Sequence, residues 1–356
     1  MRKAILIVLF VFTGLVPLRA VAQEADHGVD LSATISAEGA ASTVLTEPPR
    51  SGVPVAAGFR SVFYPTWKMS NNWSITGALQ VYSHPYFFDT FQTPGYGVKG
   101  DVLQASLNYA RVSDKGSFLV RAGQLSTVFG SFPLRYDDAV NPLTDAPIEY
   151  GYYGLTSTLG LLGAEMDATR GKWDGRIQFA NSSPANPRSV FASDQYGNWA
   201  GGGGFTIRQG MRIGVSAYRG PYLDRKFQFF FPGEANPSTL SAYAMGLDAE
   251  WAHGHWNVLG EFQKFVMPYT IIPTFREEAG YAEVERALGP RWYIATRGGY
   301  SSANEGGNVE RFEVTGGFRP DRLQLIKMGY ALQHSGTGSY PYENTFVVQF
   351  VTVLHR

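Results

Sequence analysis

Five charged side chains crowd one gap between strand-like segments: Arg135, Asp137, Asp138, Asp145 and Glu149, all within STVFGSFPLRYDDAVNPLTDAPIEYGYYGLT at residues 126–156. A second set recurs inside the segments themselves: Arg60, Arg121, Arg176, Arg208, Arg212, Arg297 and Arg311, with Asp248, Glu261 and Glu313. Carboxylates facing guanidiniums across a narrow, water-filled gap set up a transverse field that sorts solutes by charge and size. The same groups could instead pair locally and pin the loop that carries them. The signs are mixed, so no anion or cation preference follows.

Covalent chemistry finds less support. The chain has no cysteine, which excludes thiol catalysis, disulfides and cysteine-bound zinc. His253 and His255 share a tight turn and could hold a metal at i, i+2, but no third ligand lies nearby in sequence. No metal and no cofactor are therefore expected. His84 follows Ser83 and His334 precedes Ser335 at the ends of segments, where a lipid hydrolase would place its base. Adjacent residues on a strand point to opposite faces, so neither pair makes a nucleophile–base contact. No enzyme is expected. The run Gly201-Gly202-Gly203-Gly204 lacks the Lys-Ser/Thr of a phosphate loop and reads as close packing or a bend.

The elements that must position these groups alternate with period two. Tyr243, Met245, Leu247, Ala249 and Trp251 oppose Ala244, Gly246, Asp248 and Glu250; Phe312, Val314, Gly316 and Phe318 oppose Arg311, Glu313, Thr315 and Arg319. Sixteen such segments are expected near 31–40, 54–66, 72–83, 101–112, 116–126, 158–168, 172–181, 198–208, 211–220, 241–252, 254–266, 277–287, 290–301, 309–319, 322–334 and 344–354. The first alternates poorly, and a count of fourteen or eighteen would also suit the spacing. Many segments run well past the usual five to six residues of soluble strands and reach the nine to eleven that span a bilayer. Tight turns such as Arg170-Gly171-Lys172 and Arg208-Gln209-Gly210 alternate with long gaps, as in an up-and-down barrel with one confined rim. Trp73, Trp251, Trp256, Trp292, Tyr300 and Tyr330 sit at segment ends, where an interfacial girdle would lie.

Composition agrees. Charged residues are 17% of the chain and aromatics 14%, with 41 glycines; soluble domains carry about 25% charged residues. The formal net charge of zero gives no case for a nucleic-acid partner. Arg2 and Lys3, the apolar run Ala4 to Val16 and Ala20-Val21-Ala22 read as an export signal over 1–22. A short periplasmic segment over 23–30 and a barrel over 31–356 follow, with a constriction-type loop at about 126–156. The fold class expected is an all-β, transmembrane, antiparallel up-and-down barrel in a bacterial outer membrane.

Gly123-Gln124, Phe129-Gly130, Arg135, Asn141-Pro142-Leu143, Pro147 and Tyr150, taken with the short turns and the long third loop, resemble bacterial outer-membrane porins. The resemblance is closest to the loosely defined general and phosphate-selective-porin-like group. It implies a water-filled channel for passive diffusion of small hydrophilic solutes and ions, surrounded by outer-membrane lipid and often assembled as a homotrimer. A non-conducting barrel that sheathes or anchors a partner protein is the alternative. Phe227, Phe229, Phe230 and Phe231, an apolar patch in a long gap, would serve such contacts or cap the barrel itself.

Overall fold

The computed structural model describes residues 27–46, 54–84, 86, 97–150, 161–181, 197–221, 233, 240–304, 307–336 and 342–355. The export signal at 1–22, the phenylalanine patch at 227–231 and the 151–156 end of the third long gap lie outside these residues. Sixteen strands follow in order: β1 (Gly28–Ser42), β2 (Val55–Lys68), β3 (Trp73–His84), β4 (Gly97–Ser113), β5 (Gly116–Leu125), β6 (Leu161–Arg170), β7 (Trp173–Ala180), β8 (Asn198–Arg208), β9 (Met211–Pro221), β10 (Ser241–His253), β11 (Trp256–Met267), β12 (Phe275–Ala287), β13 (Trp292–Ala303), β14 (Gly307–Phe318), β15 (Gln324–Ser335) and β16 (Tyr342–His355). Each pairs antiparallel with its chain neighbours, and β1 pairs with β16, so the barrel closes. Closure leaves no edge strand, and every spanning backbone group finds its partner within the sheet.

The expected strand count is the observed one, and three strand starts differ by three residues or more. β1 begins at Gly28, inside the segment assigned to 23–30, and β4 begins at Gly97 instead of 101. The described part of β6 begins at Leu161. The poor alternation of β1 has a simple cause. Its outward residues Ala33, Ala37, Gly39 and Ala41 are nearly as small as its inward Ser32, Ser36 and Ala40, so little contrast separates the faces. Its register is held from both sides, with Ala37 opposite Phe350 on β16 and Phe59 on β2.

The two faces of the sheet are inverted relative to a protein in water. Tyr243, Met245 and Leu247 are exposed on the outside of β10, while charged groups including Arg60, Glu283, Arg297 and Lys327 are buried inside. Leaving one large apolar side chain in water forgoes roughly 1.5–3 kcal/mol, and this outer face carries dozens. Only an apolar surround relieves that cost. A twelve-residue strand such as β11 is about 40 Å long at 3.3 Å per residue, and a tilt of about 45° spans a hydrocarbon core of about 30 Å. Among the described residues no helix is long and apolar enough to cross a membrane, which leaves strands aside.

The tight turns lie at one rim. Gly171 and Gly254 take φ of +61° and +60°, and a Cβ at either would meet nothing. Glycine is therefore required there by backbone conformation and not by space.

Candidate functional site: the inner face and the loop after β5

The connection from β5 to β6 is described over 126–150, and its groups bond to inner-face side chains around most of the wall. It leaves β5 with the Ser126 carbonyl accepting from Gln178 Nε2 at 2.8 Å. Phe129 then buries among Ala200, Tyr218, Ala242, Ala244 and Phe265 of β8–β11, edge-on to Phe265 at 5.4 Å. Arg176 on β7 donates to the Gly130 carbonyl at 2.5 Å. Gly130 has φ +82°, and a Cβ there would collide with the Tyr150 hydroxyl. This glycine is needed for both conformation and space.

Glu261 on β11 gathers the next turn. Its carboxylate accepts from Ser131 N at 3.0 Å, Ser131 Oγ at 2.6 Å and the Tyr150 hydroxyl at 2.6 Å. A short 3-10 turn, Phe132–Arg135, carries Arg135 onto β12, where Nη1 pairs with Glu283 at 2.8 Å and Nη2 donates to the Tyr281 hydroxyl at 2.6 Å. Arg60 on β2 holds the loop's far reach: it donates to Asp138 at 3.0 Å and to the Tyr136 carbonyl at 3.1 Å, with its guanidinium 4.3 Å from the Tyr136 ring centre. Tyr64 donates to Asp137, and Tyr86 to Asp138 at 3.0 Å.

On the return, Lys327 of β15 donates to the Asn141 and Leu143 carbonyls at 2.9 and 3.0 Å. Tyr293 donates to the Pro142 carbonyl at 3.0 Å. Asp145 pairs with Arg311 at 2.7 Å, and its carbonyl accepts from Arg297 at 2.7 Å. Arg297 in turn pairs with Glu283 at 3.3 Å and Glu313 at 2.7 Å. Asp138 and Asp145 are thus in contact with their guanidiniums and do not face them across a gap.

Burial works against the Asp138 carboxylate, but Arg60 and Lys327 outweigh it and hold its pKa below the usual aspartate value. Burial raises that of Asp137, although the Tyr64 hydroxyl opposes the rise. Glu149 stands apart. It is 1% exposed, and neither carboxylate oxygen has a hydrogen-bond partner among the described residues. Burial first, and then the charge of Glu261, push its pKa well above the ordinary 4.5.

Two charged clusters on the wall bond only to other wall groups among the described residues. Arg121 on β5 pairs with Glu165, and with Asp167 at 2.6 Å, both on β6; Arg121 and Asp167 remain 27% and 26% exposed. Arg212 on β9 bridges Asp174 at 2.7 Å and Asp248 at 2.9 Å. A Cβ on Gly204 would strike the Arg212 guanidinium, and one on Gly214 would strike Asp248. Gly204 at the end of the β8 glycine run and Gly214 on β9 therefore clear room for this triad.

Of the sequence-predicted residues, Arg60, Arg135, Asp137, Asp138, Asp145, Arg176, Glu261, Arg297, Arg311 and Glu313 join the network around the loop. Arg121, Arg212 and Asp248 pair on the wall, and Glu149 sits unpaired. Arg208 departs from the inward assignment. A register shift between Thr206 and Arg208 sets it opposite Met211, exposed at the tight turn. Sequence reasoning missed Lys327, Tyr64, Tyr86, Gln178 and Tyr293 as loop anchors. Lys327 was visible in principle, as a charge alternating with outward Ile326 and Met328. The described residues contain no group of three metal-ligating side chains. Ser83 Oγ bonds the Phe59 backbone, and the His334 ring lies tilted against Tyr342 with ring centres 4.9 Å apart.

No family model matches the chain, and no curated protein matches it in sequence. Solved structures do match in fold. An anion-selective porin from Comamonas acidovorans aligns with a TM-score of 0.64 at 9% identity, covering 93% of this chain and 100% of that one. OprB of Pseudomonas putida aligns with a TM-score of 0.64 at 10% identity, over 92% and 94%. The outer membrane channel DcaP of Acinetobacter baumannii aligns with a TM-score of 0.59 at 9% identity, over 96% and 100%. At these identities the likeness is one of fold.

Proposed function

We propose that this chain is an outer-membrane porin, a water-filled channel for passive diffusion of small hydrophilic solutes and ions. The observation that carries the reading is the inversion of faces on a closed barrel: charged and amide groups line the inside, and apolar groups cover the outside. The loop after β5 folds inward and narrows the lumen, a role supported by its bonds to inner-face groups on β2, β7, β11, β12, β13, β14 and β15. Water passes on the side the loop leaves, along β5 and β6, where Arg121 and Asp167 keep about a quarter of their side-chain surface. Because Arg60 and Arg311 are engaged by loop carboxylates, they do not present a free cationic ladder, and phosphate selectivity gains no support. Each wall cluster away from the loop sets two carboxylates against one guanidinium, Glu165 and Asp167 on Arg121 and Asp174 and Asp248 on Arg212, so the channel prefers cations.

The first 22 residues act as the export signal, and the tight turns face the periplasm. The barrel works as a homo-oligomer, a trimer by analogy with OmpT of Vibrio cholerae, which is described in a trimer form. A non-conducting scaffold is the second reading. It is favoured by the complete burial of Lys327, Gln333 and Gln349 on β15 and β16. Single-channel current of the refolded chain in a planar bilayer with a salt gradient separates the two. Stable steps with a reversal potential of cation-selective sign are expected. A folded, inserted barrel that never conducts would move the weight to the scaffold.

A further inference from the structure

The outward edge of the barrel at its tight turns carries a cationic patch that the channel does not use. Arg111 lies two residues before the end of β4, Lys115 and Lys172 lie in the β4–β5 and β6–β7 turns, and Arg170 and Arg208 end β6 and β8. These strands are consecutive in the barrel, about 4.8 Å apart, so five cations share roughly 20 Å of rim. All five are exposed, and none forms an ion pair among the described residues. Asp114 is the one carboxylate in the same turns; Asp174 is engaged inward by Arg212.

The side chains directly above the patch are apolar and face outward. Arg111 is opposite Phe118, Arg170 is opposite Trp173, and Trp173 packs on Phe205 with ring centres 4.6 Å apart. Lys172 Nζ lies 5.8 Å from the Phe205 ring centre and donates to the Ile207 carbonyl at 3.0 Å. Above Trp173, Ile177 and Phe179 continue the exposed apolar band. The patch therefore sits where acyl chains end and headgroups begin. Long cationic side chains there can lay their stems along the aromatics and direct their charges outward.

We propose that the tight-turn edge of β4–β8 binds the phosphate headgroups of anionic phospholipid in the leaflet next to the tight turns. The proposal rests on the membrane-channel reading, because it needs the apolar band to be in lipid. An exposed, unpaired cationic cluster continuous with an apolar, aromatic-rimmed surface matches a ligand with an anionic head and an apolar tail. A soluble anion satisfies only the first half of that description.

The test uses the full barrel in an uncharged detergent. Phosphatidylglycerol and phosphatidylcholine of the same acyl chains are titrated separately, and retained lipid is counted by native mass spectrometry. Inorganic phosphate and polyglutamate serve as soluble anions. Preferential retention of phosphatidylglycerol is expected, weakened about tenfold or more in the double variant Arg170→Gln/Lys172→Gln. Retention by Arg170→Lys/Lys172→Arg should match the parent chain. If the glutamine pair fails to fold, Arg111→Gln/Arg208→Gln replaces it with the same expectation. Equal retention of both lipids, unaltered retention in the glutamine variant, or polyglutamate displacing phosphatidylglycerol from the patch would each overturn the proposal. Bilayer conductance is recorded for the same samples. Normal conductance with no lipid preference sinks the lipid site alone, whereas absence of conductance in the parent chain sinks the channel reading.

Discussion

The wall of this barrel is divided between two regimes. From β11 through β15, and again on β2, inner-face charges bond to the loop and are almost wholly covered: Arg60, Arg297 and Lys327 are all at or below 1% exposure. On β5 and β6, and in the Arg212 triad of β7 to β10, equally charged groups bond only to wall groups, and Arg121 and Asp167 keep 27% and 26% exposure where Arg212 and Asp248 keep 15% and 14%. Composition does not separate the regions, since both mix guanidiniums with carboxylates. What separates them is the partner. A guanidinium committed to a buried carboxylate and a backbone carbonyl is a structural clamp, while one shared between two wall carboxylates, as Arg121 is at 27% exposure, still presents charge to solvent. Charge in a lumen is therefore not selectivity until its partner is known.

The largest effect should come from opening the clamp at its far end. Arg60→Ala leaves Asp138 buried without its cation, which should cost about 3–5 kcal/mol and release the loop. Protease cleavage within 126–150 of the folded barrel, together with noisier and larger single-channel currents, would report it. Lys327→Met comes next, since two charge-assisted bonds to the Asn141 and Leu143 carbonyls are lost. About 2–3 kcal/mol of loop seating is expected, read by the same cleavage assay and by urea unfolding. If either variant matches the parent chain, the clamped region is not what holds the loop.

Glu149 sharpens the comparison through pH. Its pKa is raised by burial and by Glu261, so the neutral form favours the seated loop. That contribution is complete below the ordinary value of 4.5 and is lost as pH rises through the raised one. Arg297 and Glu277 also act on this group, and Glu149→Gln should hold cleavage protection nearly constant over the range where the parent chain loses it. The smallest effect on structure belongs to the open region. Asp167→Asn should leave loop protection unchanged yet move the reversal potential toward weaker cation preference. A change in protection without a change in selectivity would contradict the division.

Much of the barrel was legible because strands this long cannot hide their period. Alternation in β10 and β14, with glycine-bearing tight turns, gives strand count and direction. The failures are local and physical. β1 has small residues on both faces, so its ends blur. A count of twos along β8 puts Arg208 on the face of Thr206, and one bulged residue defeats that count. Loop anchoring was half legible. Charged loop residues announce themselves, but Lys327 binds carbonyl oxygens some 185 residues away in sequence, and a carbonyl has no signature in the sequence. Tyr64 and Tyr86 were missed because an inward tyrosine looks like any other aromatic until its hydroxyl finds a carboxylate.

The chain has no cysteine, which makes the division directly measurable. Leu119→Cys places a thiol on the inner face of β5, opposite Asp167, and Gln349→Cys places one on β16 at a position with no exposure. Each variant would be treated with a small water-soluble methanethiosulfonate reagent while single-channel current is recorded. The thiol at 119 should react and cut the current, and the thiol at 349 should stay silent in a conducting channel. Reaction at 349 with none at 119 would put the water on the opposite side of the loop and overturn the division of the wall.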